Sequence, residues 1–188
     1  MQIMTKKQLR EIYKNKRRLM LPQEKTALDD AVADRFLNSD MYKQCDELLV
    51  YVSLGIEVGT HSIISRALKE KKVFCPKCYS EPNVMEFYRI NSFDDLSPGA
   101  YGILEPSAGE PFYSFSDTSL CIVPALSYDK NGYRLGFGKG YYDRFLSGFN
   151  GIKTGLCYEN SLCDVLPADD YDVFVDNIVT EDRIIFLR

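Results

Sequence analysis

Long apolar runs are missing from this chain of 188 residues. No run approaches the roughly 18 apolar residues that a membrane-spanning helix needs. Residues 1–20 also hold too few apolar side chains for the core of a signal peptide. We therefore expect no membrane partner and a cytoplasmic location. Apolar residues still make up 45% of the chain, which is enough for one globular domain over residues 1–188, expected to be a monomer.

Histidine is scarce as well, since His61 is the only one. This matters for Cys75 and Cys78, because a CxxC pair can be half of a zinc site or a redox motif. No second pair and no suitably spaced histidine follows them, so we interpret both as structural thiols. The six cysteines are expected to be free, as in a reducing compartment.

Positive charge is concentrated at the N-terminus. Residues 1–20 hold seven basic residues against one acid, a net +6, and the whole chain carries −4, which leaves −10 for the remainder. Such a basic helix can be a solvated face, a nucleic-acid patch or a local anion site. The acidic remainder argues against nucleic acid as a partner.

Helices and strands alternate along the predicted fold. Thr5 is expected to cap a first amphipathic helix, and Pro22 suits the first turn of a second. A helix after Thr60 then connects two apolar strands, and a βαβ unit of this kind has parallel strands. A second βαβ unit contains a glycine-rich segment and a helix over residues 141–149, whereas Pro and Gly residues predict an irregular connection over 80–119. The predicted strands cover residues 47–53, 73–75, 84–89, 120–126, 152–158, 173–179 and 184–187.

These elements predict a three-layer α/β domain in which helices cover both faces of a mainly parallel sheet. Ligands of such sheets bind beyond the carboxyl ends of the strands. The segments that follow residues 53 and 126 should emerge there, so we expect the site between them.

The glycine-rich segment predicts a binding site for an anion. Gly136, Gly138 and Gly140 alternate with Phe137 and Lys139, so the backbone can adopt left-handed conformations and bring several N–H groups to one concave surface. A polyphosphate suits such a surface, although the segment matches neither the Walker A loop nor the GxGxxG fingerprint.

Charged neighbours extend this interpretation to a magnesium nucleotide. Arg134 and Lys139 add positive charge, the following helix start adds its dipole, and Asp143 can hold a cation that bridges phosphate oxygens. The alternative is a tight strand-to-helix connection in which Tyr141 and Tyr142 are core aromatics.

The sequence DKNGYRLGFGKGYYDRFL at residues 129–146 resembles the signature of the 5-formyltetrahydrofolate cyclo-ligase (5,10-methenyltetrahydrofolate synthetase) family. The resemblance covers nearly the whole chain, in the order and spacing of the family pattern. The other matching segments are KKQLR at 6–10, EVGT at 57–60, IVPALSYD at 122–129 and YDVFVDNIVT at 171–180.

The resemblance implies an enzyme that uses ATP and Mg²⁺ to convert 5-formyltetrahydrofolate, with or without a polyglutamate tail, into 5,10-methenyltetrahydrofolate, ADP and phosphate. It also implies a mainly parallel, Rossmann-like sheet of the NagB/RpiA/CoA transferase-like type. Phosphorylation turns the formamide oxygen, a poor leaving group, into one that departs as phosphate after attack by N10 of the folate. The protein then has to position the reactants and stabilise charge.

The folate contacts implied by the resemblance are Glu57, Val52 at the pterin, and Tyr142. Gly59 departs from the family pattern, which has an acidic residue between the Glu and the Thr of this segment. Without the resemblance, Glu57 could equally be an exposed loop acid, although a carboxylate suits the donor-rich edge of a pterin.

The remaining roles implied by the resemblance concern ATP and magnesium. Asp143 and Asp172 match the magnesium-associated aspartates, and the catalytic residues are expected to be Arg134, Lys139 and Tyr142. The expected ATP contacts are Lys6, Lys7, Arg10, Arg134, Leu135, Gly136, Phe137, Gly138, Lys139, Gly140, Tyr141 and Tyr142.

Simpler roles stay open on the residues alone: Lys6 and Arg10 could only solvate their helix, and Asp172 could only cap a turn. Two other functions also remain. The chain could be an enzyme of the same fold acting on another substrate, or a folate store without turnover. A nucleic-acid contact through the basic helix would instead give strongly salt-dependent binding without nucleotide hydrolysis.

Overall fold

The computed structural model describes residues 4–99, 102–112 and 118–187. Parts of the predicted irregular connection, residues 100–101 and 113–117, lie outside the described residues. In chain order the helices and strands are α1 (Lys6–Arg18), α2 (Pro22–Asn38), α3 (Asp40–Gln44), β1 (Glu47–Leu49), α4 (His61–Ala67), β2 (Lys72–Tyr79), β3 (Val84–Ile90), β4 (Leu96–Pro98), β5 (Leu104–Pro106), β6 (Ser119–Val123), β7 (Ser127–Asp129), β8 (Arg134–Leu135), α5 (Tyr141–Leu146), β9 (Ile152–Leu156), β10 (Leu162–Cys163), β11 (Asn177–Val179) and β12 (Ile184–Phe186).

A seven-stranded sheet forms the centre of the fold, in the order β12-β11-β9-β6-β1-β2-β3. The four inner pairings from β11 to β2 are parallel, and the edge strands β12 and β3 are antiparallel to their neighbours. Both predicted βαβ units are present, since β1 pairs with β2 across α4 and β6 pairs with β9 across α5. The expected mainly parallel α/β sheet is confirmed.

The two faces of the sheet are covered by separate apolar clusters. One cluster joins the sheet to α2, α3 and α4 through side chains such as Phe36 and Ile64. The other joins it to α5 and to aromatic residues such as Phe87 and Phe149. The layers are therefore helix, sheet and helix, as predicted.

The first two helix starts follow from local sequence. Thr5 accepts a hydrogen bond from the backbone of Gln8, whose side chain accepts one from the Thr5 backbone, so the two form a capping box. Pro22 occupies the first turn of α2, where its missing N–H has no helical partner to lose.

The strand predicted over residues 47–53 ends early, at Leu49. Thr60 is the reason, because its hydroxyl donates to the Tyr51 carbonyl at 2.6 Å and accepts from the Ser53 backbone at 3.0 Å. The same hydroxyl makes no capping bond to α4. Thr60 thus fixes the segment after β1 instead of capping the helix that it precedes.

Five other predicted elements extend beyond the observed ones, including the strands predicted over 152–158 and 184–187, which end at Leu156 and Phe186. Pro124 follows β6, α5 ends at Leu146, and the predicted strand over 173–179 is regular only from Asn177 onwards. In the last case the Val175 N–H donates to the Gly132 carbonyl at 3.0 Å, so this backbone pairs with the turn before the glycine-rich segment. The small sheet β10-β7-β8 and the hairpin β4-β5 have no counterpart in the prediction.

The CxxC pair lies within β2. Burial raises the pKa of Cys75 to about 12 and that of Cys78 to about 11, so both are thiols at neutral pH. All six cysteines are free. Within the described part of the chain, no helix combines the length and the apolar character that crossing a membrane requires.

Candidate active site

A cleft of about 640 Å³ opens where α1, the glycine-rich segment and the segment after β1 meet. It brings together most of the residues that the sequence predicted for the site. Lys7 and Leu135 are the exceptions, because neither lines the cleft. The predicted residues that line it are Lys6, Arg10, Val52, Glu57, Arg134, Gly136, Phe137, Gly138, Lys139, Gly140, Tyr141, Tyr142, Asp143 and Asp172.

Helix α1 points two of its basic residues, Lys6 and Arg10, into the cleft. Lys6 Nζ lies 2.6 Å from Asp169 and 2.5 Å from Asp172, and Arg10 Nε donates to the Gly136 carbonyl at 2.9 Å. Partial burial alone would lower the pKa of Lys6, but its hydrogen bonds to the two aspartates outweigh this and leave the pKa raised. These cations therefore do more than solvate a helix face. Lys7, by contrast, is exposed.

The glycine-rich turn has the backbone that its composition predicts. Gly138 and Gly140 have φ values of +102° and +69°, in the left-handed region. A Cβ on Gly138 would lie 3.3 Å from the guanidinium carbon of Arg10, so the glycine also lets Arg10 approach the turn. Leu135 is buried at the base of the turn with Leu126, where it contributes to packing.

The positive charge at this turn comes mainly from side chains. Helix α5 begins at Tyr141 and has only six residues, so its dipole is small. Lys139 and Arg134 line the cleft beside the turn. We conclude that the dipole contribution expected from the sequence is minor.

The two predicted magnesium-binding carboxylates lie close to each other. Asp143 forms an ion pair with Arg134 at 2.7 Å and accepts from the backbone N–H of Val173 at 3.2 Å, so it contacts the residue that follows Asp172. Arg134 in turn donates to the Val173 carbonyl at 2.7 Å. Both carboxylates line the cleft and are partly exposed to it.

This arrangement fits a magnesium ion that is held jointly with a phosphate ligand. Mg²⁺ commonly binds one or two carboxylates and completes its octahedron with substrate phosphates and water. Asp143 and Asp172 can supply the carboxylates, next to a turn suited to phosphate. Among the described residues, no group of three His, Cys, Asp or Glu side chains offers a metal site made of protein alone.

The other end of the cleft is largely apolar and contains the carboxylates of Glu57 and of Glu105, which accepts from the Cys78 backbone at 3.2 Å. Glu57 is the one predicted from the sequence. Its Oε2 accepts from the Leu54 backbone at 2.8 Å, and burial raises the pKa of Glu57 above its ordinary value. Val52 is buried beside it. The apolar wall is completed by Pro76, Cys78, Met85 and Ile103.

Tyr142 also lines the cleft. Its hydroxyl is buried and has no hydrogen-bond partner among the described residues, and burial raises its pKa well above the ordinary value. The hydroxyl is therefore a neutral donor with nothing to bind. Buried polar groups are nearly always paired, so a bound ligand is the natural partner.

Several polar residues at or near the cleft escaped the sequence prediction, among them Asp169, which binds Lys6, and also Arg17 and Glu105. Arg17 is buried and donates to the carbonyls of Ile56, Ala125 and Leu126 at 3.1, 2.9 and 2.9 Å. Its spacing of four from the partly buried Tyr13 was a usable signal for the inner face of α1. Glu105, which is buried and lines the cleft, lies in the connection that was predicted to be irregular.

Comparison with known proteins shows the family to which the chain belongs. The chain is 36% identical to a 5,10-methenyltetrahydrofolate synthetase from Aquifex aeolicus, whose structure superposes with a TM-score of 0.88 over 98% of this chain and 94% of that one. The synthetase from Mycoplasma pneumoniae is 26% identical, with a TM-score of 0.75 over 95% and 99% of the two chains.

A probable 5-formyltetrahydrofolate cyclo-ligase from Caenorhabditis elegans is 30% identical over 96% of this chain and 95% of its own length. The mouse 5-formyltetrahydrofolate cyclo-ligase is 27% identical over 94% of each chain. The model of the 5-formyltetrahydrofolate cyclo-ligase family matches residues 2–181. With that match over nearly its whole length, the chain belongs to the 5-formyltetrahydrofolate cyclo-ligase family.

Proposed function

We propose that this protein is a 5-formyltetrahydrofolate cyclo-ligase that uses ATP and Mg²⁺ to form 5,10-methenyltetrahydrofolate, ADP and phosphate. One observation carries the proposal beyond family membership. A single cleft has a cationic glycine turn and carboxylates at one end, and an apolar pocket with Glu57 at the other. A nucleotide and a pterin can therefore meet within it.

The nucleotide occupies the end formed by α1 and the glycine turn. Arg10 lies against this turn, Lys6 pairs with Asp172 in the same cleft, and the backbone N–H groups around Gly138 and Gly140 suit phosphate oxygens. Asp143 and Asp172 hold Mg²⁺, which neutralises charge on the phosphates when it is bound. Arg134 and Lys6 then exchange part of their contact with these carboxylates for contact with phosphate.

The folate occupies the apolar end. Glu57 accepts hydrogen bonds from the N–H groups at the pterin edge, and Val52 packs against the ring. A bound ligand also gives the Tyr142 hydroxyl a partner, so Tyr142 orients the reacting part of the folate where the two ends meet.

The reaction needs two bond-forming steps in this cleft. The formyl oxygen attacks the γ-phosphorus and ADP leaves, and N10 then attacks the formyl carbon, loses its proton, and phosphate departs with the former formyl oxygen. Arg134 and Lys139 stabilise the negative charge that develops on the transferred phosphoryl group. The cleft holds the two reactants together, and this proximity favours transfer between them over competing hydrolysis.

Turnover tests the proposal directly. Purified protein is mixed with 5-formyltetrahydrofolate, Mg²⁺ and ATP, and the absorbance of the methenyl product is followed, with ATP omitted or Mg²⁺ chelated as controls. We expect product only in the complete mixture. Asp143→Asn should abolish most of the rate, whereas Asp164→Asn, an exposed aspartate outside the cleft, should not change it.

The outcome also separates the other candidate functions. ATP hydrolysis without methenyl product would indicate a different substrate, and folate binding without turnover would indicate a store. The absence of both folate binding and turnover would contradict the proposal.

A further inference from the structure

The segment over residues 54–60, here called the Glu57 loop, is held by buried side chains from several elements. Tyr51 donates its hydroxyl proton to the Val58 carbonyl at 2.9 Å, and Arg17 donates to the Ile56 carbonyl at 3.1 Å. The loop carries the carboxylate that we assign to the folate. Its position therefore decides whether Glu57 can meet the pterin.

Asp29, on α2, holds the end of this loop. Its Oδ1 accepts from the Gly59 N–H at 2.8 Å and from the Tyr158 hydroxyl at 2.6 Å, and its Oδ2 accepts from Lys25 at 2.6 Å. Its side chain is only 18% exposed. Burial and this hydrogen bond raise the pKa of Tyr158, so the phenol stays protonated and donates.

The Asp29 carboxylate fills the space next to Gly59 that a side chain would need. A Cβ built on Gly59 would lie 2.8 Å from Asp29 Oδ2 and 2.9 Å from its carboxyl carbon. The Gly59 φ value is not in the left-handed region, so its backbone does not require glycine. Space, and not conformation, makes residue 59 a glycine. A carboxylate at residue 59 and one at residue 29 would compete for one location.

We propose that Asp29 is a positioning residue for the folate: it supplies from α2 the carboxylate that residue 59 lacks, and so fixes the Glu57 loop for substrate binding. This inference rests on the proposed function. The i,i+4 ion pair with Lys25 stays within α2, but the bonds to Gly59 and Tyr158 connect Asp29 to the loop and to the segment after β9.

Four variants test the inference: Asp29→Ala, Asp29→Asn, the double variant Asp29→Ala with Gly59→Asp, and the control Asp30→Ala. Asp30 is exposed and lies next to Asp29 on α2. Both aspartates line a shallow pocket beside the Glu57 loop. For each variant we would measure circular dichroism, the Kd of 5-formyltetrahydrofolate by titration, and the KM values of both substrates.

We expect Asp29→Ala to raise the Kd and KM for 5-formyltetrahydrofolate by about tenfold, with the KM for ATP within about twofold of wild type. Asp29→Asn should give a Kd and a KM for 5-formyltetrahydrofolate between those of Asp29→Ala and wild type. Asp30→Ala should give the wild-type values. The double variant should recover most of the folate affinity, because Asp at residue 59 places its carboxylate near Tyr158 and Lys25.

Folded Asp29 variants with unchanged folate constants would overturn the inference. So would equal rises in both KM values that the double variant leaves uncorrected, since this pattern belongs to general destabilisation. Failure of the proposed function looks different: wild type itself would then neither bind nor turn over the folate.

Discussion

Glu57 combines a functional charge with an unfavourable environment. It lies in the apolar end of the cleft, accepts one hydrogen bond from the Leu54 backbone, and has a pKa that burial raises. The ionised form is the one that can accept two hydrogen bonds from a pterin edge. Burial therefore disfavours the charged form of Glu57 in the free protein, although the charged form is the one suited to a pterin edge.

The pH dependence of binding follows from this shift. Because the pKa of Glu57 is raised, the carboxylate loses its charge at a higher pH than an ordinary glutamate, and folate affinity should fall as the pH drops through that raised value. A titration of the folate Kd against pH in wild type and Glu57→Gln checks this. Only wild type should show that step.

The same shift predicts the stability of Glu57→Gln. A raised folded-state pKa gives a contribution to stability that is complete below the unfolded-state pKa and is lost as the pH rises through the folded-state pKa. At pH 7 the neutral glutamine should therefore give a higher Tm than wild type, with the gap closing in acid. Calorimetry at pH 7 and in acid measures this difference in Tm. A Glu57→Gln variant that is less stable than wild type at pH 7 would contradict the raised pKa of Glu57.

Gly138 tests the glycine turn at the level of one residue. Alanine there would be strained by the φ value of +102° and would bring its Cβ to 3.3 Å from the Arg10 guanidinium carbon. Backbone strain of this kind costs about 1–3 kcal/mol, so we expect the KM for ATP to rise by about tenfold. Gly148→Ala is the control, because Gly148 lies outside the cleft, its φ value is not left-handed, and its Cβ would come no closer than 4.0 Å to the Phe145 carbonyl oxygen. Equal effects of the two variants would contradict this role for the turn.

At the level of the element, α1 serves both ends of the cleft. Lys6 and Arg10 contact the end of the cleft that we assign to the nucleotide, and Arg17 donates to Ile56 in the Glu57 loop. The cluster of basic residues in the sequence suggested an anion site. It did not show that Arg17 turns inward over the Tyr158 ring, 5.1 Å from its centre.

Arg17→Met should destabilise the protein through its three carbonyl partners. Leaving a buried polar group unsatisfied costs about 1–3 kcal/mol. The free energy of unfolding in urea should fall by about that amount, since the variant also removes the buried Arg17 Nε, which is unpaired within the described part of the chain. Arg18→Met, at an exposed position on the same helix, should change it by less than about 0.5 kcal/mol. An Arg17 variant as stable as the control would show that these hydrogen bonds contribute little.

At the level of the whole molecule, the features that the sequence predicted well are those set by local pattern. The βαβ units could be predicted because apolar runs and helical spacing repeat over whole elements, and the backbone of the glycine turn because alternating glycines permit left-handed conformations. Strands of two or three residues, such as β8 and β10, have no periodicity to detect. Asp29, Arg17 and Glu105 were missed for a different reason, since their roles depend on contacts between distant parts of the chain.

The central claim is that two substrates occupy opposite ends of one cleft. The most direct test measures steady-state rates while the concentrations of ATP and 5-formyltetrahydrofolate are varied in turn. The proteins compared are wild type, Glu57→Gln and Arg10→Met. We expect Glu57→Gln to raise the KM for 5-formyltetrahydrofolate by about tenfold or more and Arg10→Met to do the same for ATP, each leaving the other KM within about twofold. Reversed effects, or equal rises in both constants for both variants, would contradict the account.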